Sequence, residues 1–162
     1  MALVLLRILL LLTTSLLLGC VTHATVDSDF EAFLRKADAA QVIFQQGNPT
    51  PYKDIWSHGA DVTLAGGFGG SFEQGWERVS KRLDWASAQF RNGRNEIRRI
   101  TYGSSGDTGY LVQTEHLFFD TPGNARPVER TYRVTMLFRR EQGRWHIIHR
   151  HADSQNQKAV PQ

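Results

Sequence analysis

The stretch of this sequence richest in side chains that can do chemistry is WHIIHRHAD, residues 145–153. Imidazoles titrate near neutral pH and also bind metal ions, so the segment could serve acid–base catalysis or metal coordination. Its apolar spacing predicts a β-strand, in which side chains alternate between two faces. Trp145 and Ile147 mark the core side, and His149 and His151 continue on that side. The pattern therefore predicts that both imidazoles face the interior.

The segments upstream predict the elements that must position these histidines. Apolar side chains recur at helical spacing behind capping-box patterns in residues 28–47 and 71–90, and Thr-Pro favours a third, short helix over 50–56. A short strand is predicted at 61–65. Alternating patterns predict four more strands joined by hairpin turns, at 95–103, 109–119, 127–140 and 144–152.

Three N-terminal helices covering one face of a mostly antiparallel sheet give an α+β architecture. A hollow is expected where the helices and a bent sheet diverge, and such a hollow is the default ligand site.

The first 20 residues form an apolar run with one basic residue, Arg7, and no acid, which predicts a secretory signal peptide. Its uncharged part is shorter than the roughly 20 residues of a membrane-spanning helix. Two processing sites are open: LLGC resembles a lipoprotein box that would place a lipid on Cys20, and THA allows cleavage near residue 24. The sequence therefore predicts an exported protein that is periplasmic or lipid-anchored to a membrane, or alternatively secreted.

The rest of the chain predicts one domain, residues 27–153, followed by a polar tail, 154–162. Removing residues 1–20 takes away one of 19 basic side chains, which leaves 19 − 1 = 18 against 16 acidic ones. This balance does not favour a nucleic-acid partner. GGFGG at 66–70 lacks the lysine and the Ser/Thr of a phosphate-binding loop. No cofactor is predicted.

The chain resembles the SnoaL-like branch of the nuclear transport factor 2-like superfamily, as an exported bacterial member. The resemblance rests on IWSH at 55–58, on GGFGGSFEQGWERVSKRLDWASAQF at 66–90, on RVTMLFRREQGRWHIIHRHAD at 133–153, and on the hairpins between them. It implies a cone-shaped fold, with three helices packed on a strongly bent sheet, and a homodimer formed through the exposed sheet face. Ketosteroid isomerase and polyketide cyclases share this fold with the non-enzymatic association domain of calcium/calmodulin-dependent kinases. The resemblance therefore leaves the activity open.

The resemblance also implies which residues join the histidines. Matched to the hairpin of the kinase association domain, Glu115 lies where that family projects a charged residue into its pocket, and Arg133 is the corresponding residue on the next strand. A buried carboxylate and a buried guanidinium must be paired or hydrogen-bonded. We therefore expect Glu115 and Arg133 to pair, and to converge with His149 and His151 in one cavity.

The first function open to this cluster is acid–base catalysis on a small, partly apolar substrate, of the isomerase or cyclase kind. Glu115 or a histidine such as His149 would remove the proton, while Arg133, a histidine or Tyr52 would stabilise the oxyanion.

The second is a non-catalytic binding domain, in which Arg133 and His151 hold the carboxylate of a ligand while Trp56 walls the pocket. The third is a His-x-His metal site, but nothing in the sequence fixes its third ligand, so no metal is predicted. Small-molecule binding is common to the first two functions and is the function that the sequence predicts.

Overall fold

The structure is a computed structural model that describes residues 27–124 and 126–154. The predicted signal peptide, Cys20, the cleavage site near residue 24 and most of the predicted tail lie outside these residues. Among the described residues, no helix has the length and apolarity needed to cross a membrane. Export and lipidation stay predictions.

Three helices are present, as the sequence predicts: α1 (Ser28–Phe44), α2 (Thr50–Lys53) and α3 (Trp76–Ser87). The side chain of Asp27 caps α1 by accepting a hydrogen bond from the backbone N–H of Asp29. Helix α3 begins later than its capping-box pattern predicts. Residues 73–74 form a short strand instead, and Gly75, with a φ of 81°, turns the chain into the helix.

Six strands form one curled, unclosed sheet: β1 (Thr63–Ala65), β2 (Glu73–Gln74), β3 (Arg91–Ser105), β4 (Thr108–Asp120), β5 (Val128–Glu141) and β6 (Arg144–Ser154). Their order across the sheet is β2-β1-β6-β5-β4-β3. Neighbouring strands are antiparallel except for β1 and β6, which are parallel. The predicted α+β fold, with helices packed on a bent and mostly antiparallel sheet, is confirmed.

The concave face of the sheet packs on α1 and encloses the core. Phe30 of α1 is 0% exposed, and its ring centroid lies 5.2 Å from that of Phe138 in β5 and 4.8 Å from that of Trp145 in β6. A Cβ atom at Gly109 of β4 would lie 2.7 Å from the Phe30 ring. The glycine therefore allows α1 to approach the sheet closely.

A β-bulge in β6 interrupts the regular pairing of the last two strands. Leu137 pairs with His149, whereas the next residue of β5, Phe138, pairs with Ile147. Ile148 is thus the extra residue of the bulge. An insertion of this kind shifts by one position which side chains of a strand face the core.

The bulge overturns the prediction that His149 and His151 face the interior. Trp145 faces the core as predicted, but beyond the bulge Arg150 and Ala152 occupy the core side. Both histidines consequently lie on the outer face of the sheet, and His151 is exposed.

The face of β5 that points to the core is the one opposite to the predicted face. Its buried side chains alternate along the strand and are Tyr132, Val134, Met136 and Phe138. Arg133 lies between two of them and therefore points outward. The prediction that Arg133 faces the pocket is wrong for this reason.

We expect Gly109→Ala to lower the free energy of unfolding by about 1–3 kcal/mol, because the added methyl group overpacks the contact with Phe30. Urea unfolding measures the change. Gly103→Ala is the control, since its Cβ would lie 3.1 Å from the side chain of Tyr110, which is 43% exposed and free to move aside. Equal losses in the two variants would contradict this account of the helix–sheet contact.

Candidate functional site

Glu115 of β4 is a fully buried carboxylate with both oxygens satisfied. Arg150 donates two hydrogen bonds to it, from Nη1 to Oε1 at 2.9 Å and from Nη2 to Oε2 at 2.7 Å. The amide nitrogen of Gln113 donates to Oε1 at 2.6 Å, and that of Gln41 donates to Oε2 at 2.7 Å. Each oxygen thus accepts two hydrogen bonds, and the carboxylate is held in one orientation.

These donors come from three elements that the fold brings together. Gln113 lies on the same face of β4 as Glu115, two residues away. Gln41 belongs to the buried face of α1, and Arg150 follows the bulge in β6. The site therefore depends on the docking of α1 and on the register of β6.

The pair is ionised. Burial pushes the pKa of Glu115 upward, but the charge of Arg150 and the hydrogen bonds from Arg150, Gln113 and Gln41 lower this pKa below its ordinary value. Burial alone would lower the pKa of Arg150, and the charge of Glu115 reverses that effect so that the pKa is raised. The two charges stabilise each other in a place where neither would persist alone.

The hydrogen-bond network continues from Gln113 toward the surface. Arg99 donates from Nη1 to Oε1 of Gln113 at 2.8 Å and from Nη2 to Oδ2 of Asp38 at 2.5 Å. Because the oxygen of the Gln113 amide accepts from Arg99, its nitrogen is directed at Glu115. Arg99 therefore fixes the orientation in which Gln113 stabilises the carboxylate.

An inner cavity of about 60 Å³ lies beside this pair. Gln41 and Arg150 line one part of it, and its walls are mostly apolar: Phe44, Leu64, Phe68, Leu83, Phe90 and Leu117. Two further lining groups are Gln45 and Tyr132. Gln45 Oε1 and Tyr132 Oη are both buried and have no hydrogen-bond partner. The cavity is thus an apolar space, and two of the residues that line it each hold a buried polar atom without a partner.

The predicted pairing of Glu115 with Arg133 is wrong. Arg133 instead makes a two-pronged, exposed ion pair with Asp153, with distances of 3.0 Å to Oδ1 and 2.7 Å to Oδ2. Arg133 cannot reach Glu115 because the two side chains lie on opposite faces of the sheet.

The predicted convergence of His149 and His151 with Glu115 is also wrong. His149 Nδ1 lies 2.7 Å from Oγ1 of Thr63 on the neighbouring strand, and partial burial lowers the pKa of His149. The ring of His151 meets Phe72 edge-on, with centroids 5.7 Å apart. In residues 27–124 and 126–154, no three His, Cys, Asp or Glu side chains are grouped so that they could share a metal ion.

Tyr52 and Trp56, predicted to bind ligand, lie in the core and do not line the inner cavity. The hydroxyl of Tyr52 has no hydrogen-bond partner. Burial raises the pKa of Tyr52 to about 12, and the charge of Arg150 opposes part of that rise. Their roles in binding stay predictions, as do the catalytic roles of Glu115 and His149.

The sequence contains signals for some of the residues that were missed. Gln41 lies on the apolar stripe of α1, and Gln113 shares a strand face with Glu115. The alternation of Tyr132 with Val134 indicates the correct inner face of β5. Arg150 has no such signal, because its direction depends on the bulge.

The model of the SnoaL-like domain family matches residues 36–154. No curated protein matches the sequence.

Several solved structures share the fold. A candidate dehydratase of the NTF2-like family from Streptomyces avermitilis superposes with a TM-score of 0.67 at 20% identity, over 80% of this chain and 98% of that one. An NTF2-like superfamily protein from Salmonella enterica gives 0.66 at 13% identity, over 80% and 94%. A candidate calcium/calmodulin-dependent protein kinase II association domain from Xanthomonas campestris gives 0.57 at 16% identity, over 78% and 85%. At these identities the likeness shows the fold alone.

We expect Arg150→Met to lower the free energy of unfolding by about 3–5 kcal/mol, because it leaves the buried carboxylate of Glu115 without its counter-charge. Urea unfolding measures the loss. The matched control is Arg133→Met, which removes an exposed ion pair and should change the stability little. The double variant Glu115→Leu with Arg150→Met should recover much of the loss. Equal effects of the two arginine substitutions would contradict the assigned pairing.

The lowered pKa of Glu115 also predicts that the free energy of unfolding depends on pH. A carboxyl group whose pKa is lowered by folding stabilises the protein at a pH above the pKa that it has in the unfolded chain, about 4.3. This stabilisation is lost as the pH falls through the pKa of the folded state. Protonated Glu115 is close in shape and charge to glutamine. The stability difference between the wild type and Glu115→Gln should therefore shrink as the pH falls from 7 to 2.5, measured by urea unfolding. A constant difference would overturn the assignment of an ionised Glu115.

Proposed function

We propose that this protein binds, in the inner cavity, a small and largely apolar molecule that carries one hydrogen-bonding group. The chain belongs to the SnoaL-like domain family. The family membership confirms the resemblance seen in the sequence. The fold of this family is used for small-molecule sites, which supports binding as the function. The inner cavity is the binding place that we propose.

The observation that carries the proposal is an apolar cavity, two of whose lining residues hold a buried polar atom without a partner. A buried polar atom without a partner costs about 1–3 kcal/mol. Gln45 Oε1 and Tyr132 Oη both bear this cost, and their residues line a space between apolar walls. A ligand hydroxyl can donate to Gln45 Oε1 or accept from Tyr132 Oη, and a ligand carbonyl can accept from Tyr132 Oη. Such a bond offsets part of the cost, and the apolar body of the ligand replaces water against the walls.

The size of the cavity limits the ligand. One water molecule needs about 10–15 Å³ of cavity volume, so a cavity of about 60 Å³ admits only a few heavy atoms. Gly67 and Phe68 line the cavity, and a Cβ atom at Gly67 would lie 2.6 Å from the ring of Tyr132. Because the cavity is small, a longer ligand must extend beyond it.

The geometry supports binding better than acid–base catalysis by Glu115. A general base needs a lone pair that can reach the substrate and a pKa near the working pH. Both oxygens of Glu115 already accept two hydrogen bonds each, and its pKa is lowered. His149, the other predicted catalytic residue, lies on the face of the sheet opposite to the cavity.

Mass spectrometry of the purified full-length chain under native conditions tests the proposal directly. We expect a bound small molecule that is released on unfolding.

A pair of tyrosine variants tests the location of the site, with 1-octanol as the probe. Tyr132→Phe should weaken octanol binding by about fivefold, the value of one hydrogen bond, as measured by calorimetry. It should leave the ligand-free protein at least as stable, because it removes a buried hydroxyl without a partner.

Tyr52→Phe is the matched control, since its hydroxyl is also buried and unpartnered but does not line the cavity. It should have the same effect on stability and none on octanol binding. Octanol that fails to bind the wild type, or that loses equal affinity in both variants, would contradict the proposed site.

A further inference from the structure

An outer groove of about 420 Å³ adjoins the inner cavity. Gly66, Gly67 and Phe68 line both spaces, so the glycine-rich loop forms the partition between them. The groove is completed by side chains that include Phe72, Arg130, His151 and Asp153. A ligand too long for the inner cavity would pass Phe68 and enter this groove.

The partition is flanked by two cations that are not neutralised. Arg82 lines the cavity side, where it donates to the backbone oxygen of Gly69 at 2.7 Å. Arg130 lines the groove side and is exposed. All 16 acidic side chains of the sequence lie between Asp27 and Asp153, within the described residues, and none forms an ion pair with Arg82 or Arg130.

The acid in the groove does not cancel this charge. Asp153 is engaged by both prongs of the Arg133 guanidinium, so that pair is neutral as a unit. In the inner cavity the charge of Arg150 is likewise matched by Glu115. Net positive charge is therefore concentrated at the partition, whereas the cavity beyond it is apolar and balanced.

We infer that the ligand is an amphipathic carboxylate, whose apolar chain extends from the inner cavity past Phe68 and whose anionic end lies in the outer groove beside Arg130. This inference rests on the proposed function and adds the charge of the ligand to it. Arg130 lies two residues from Tyr132 on the same face of β5, so the strand runs from a residue that lines the cavity to one that lines the groove. His151 and the 61% exposed Phe72 complete the surroundings of the anionic end.

The test compares octanoate with 1-octanol, which share a chain and differ in charge, by calorimetry on the full-length protein at low ionic strength. Octanoate should bind about fivefold more tightly than octanol, the upper range for one exposed ion pair. High salt should reduce this preference, because it screens charges at the surface. Arg130→Gln should abolish most of the preference without changing the affinity for octanol, and Arg130→Lys should retain it.

The matched control is Arg98→Gln. Arg98 is an exposed arginine on β3 that lines neither space, so this variant changes the net charge by the same amount. It should leave the preference intact. Equal affinities of the wild type for the two probes, or equal losses in Arg98→Gln and Arg130→Gln, would overturn the inference while the proposed function stands. Failure of both probes to bind would overturn the proposed function as well.

Discussion

The ion pair between Glu115 and Arg150 is the interaction on which the interior of this domain depends. Taking two charges out of water costs several kcal/mol for each, and their attraction repays that cost only when the remaining hydrogen bonds are also made. Gln41 and Gln113 make them here. The buried charge on β4 therefore requires a specific placement of α1, β4 and β6, which apolar packing alone would specify less sharply.

One inserted residue decides which chemistry faces inward. Without the bulge at Ile148, regular alternation would turn His149 and His151 inward and would place Arg150 outside, leaving Glu115 buried without a counter-charge. A bulge costs some pairing in the ladder, but here it redirects a single guanidinium to the carboxylate that needs it. The local irregularity and the buried pair are thus parts of one arrangement.

The fold follows from sequence patterns because its helices have clear apolar stripes and its long strands are separated by turn-forming residues. The inner face of β4 is equally readable, and the pattern correctly predicts that Glu115 lies on it. The alternation of Tyr132 and Val134 indicates the inner face of β5, whereas a pairing of Glu115 with Arg133 requires the opposite face and is wrong. The direction of Arg150 could not be predicted, since a one-residue bulge depends on pairing with neighbouring strands and leaves no distinct composition in the strand itself.

The position of β6 in the sheet bears on how the chain matures. This strand comprises the last 11 described residues, yet it lies between β5 and β1 and supplies the counter-charge of Glu115. While the ribosome is still making β6, the earlier strands form an incomplete sheet in which the carboxylate must remain hydrated or protonated. Native packing of the interior consequently waits for the synthesis of β6, and a nascent chain halted before Arg150 would leave Glu115 without its counter-charge.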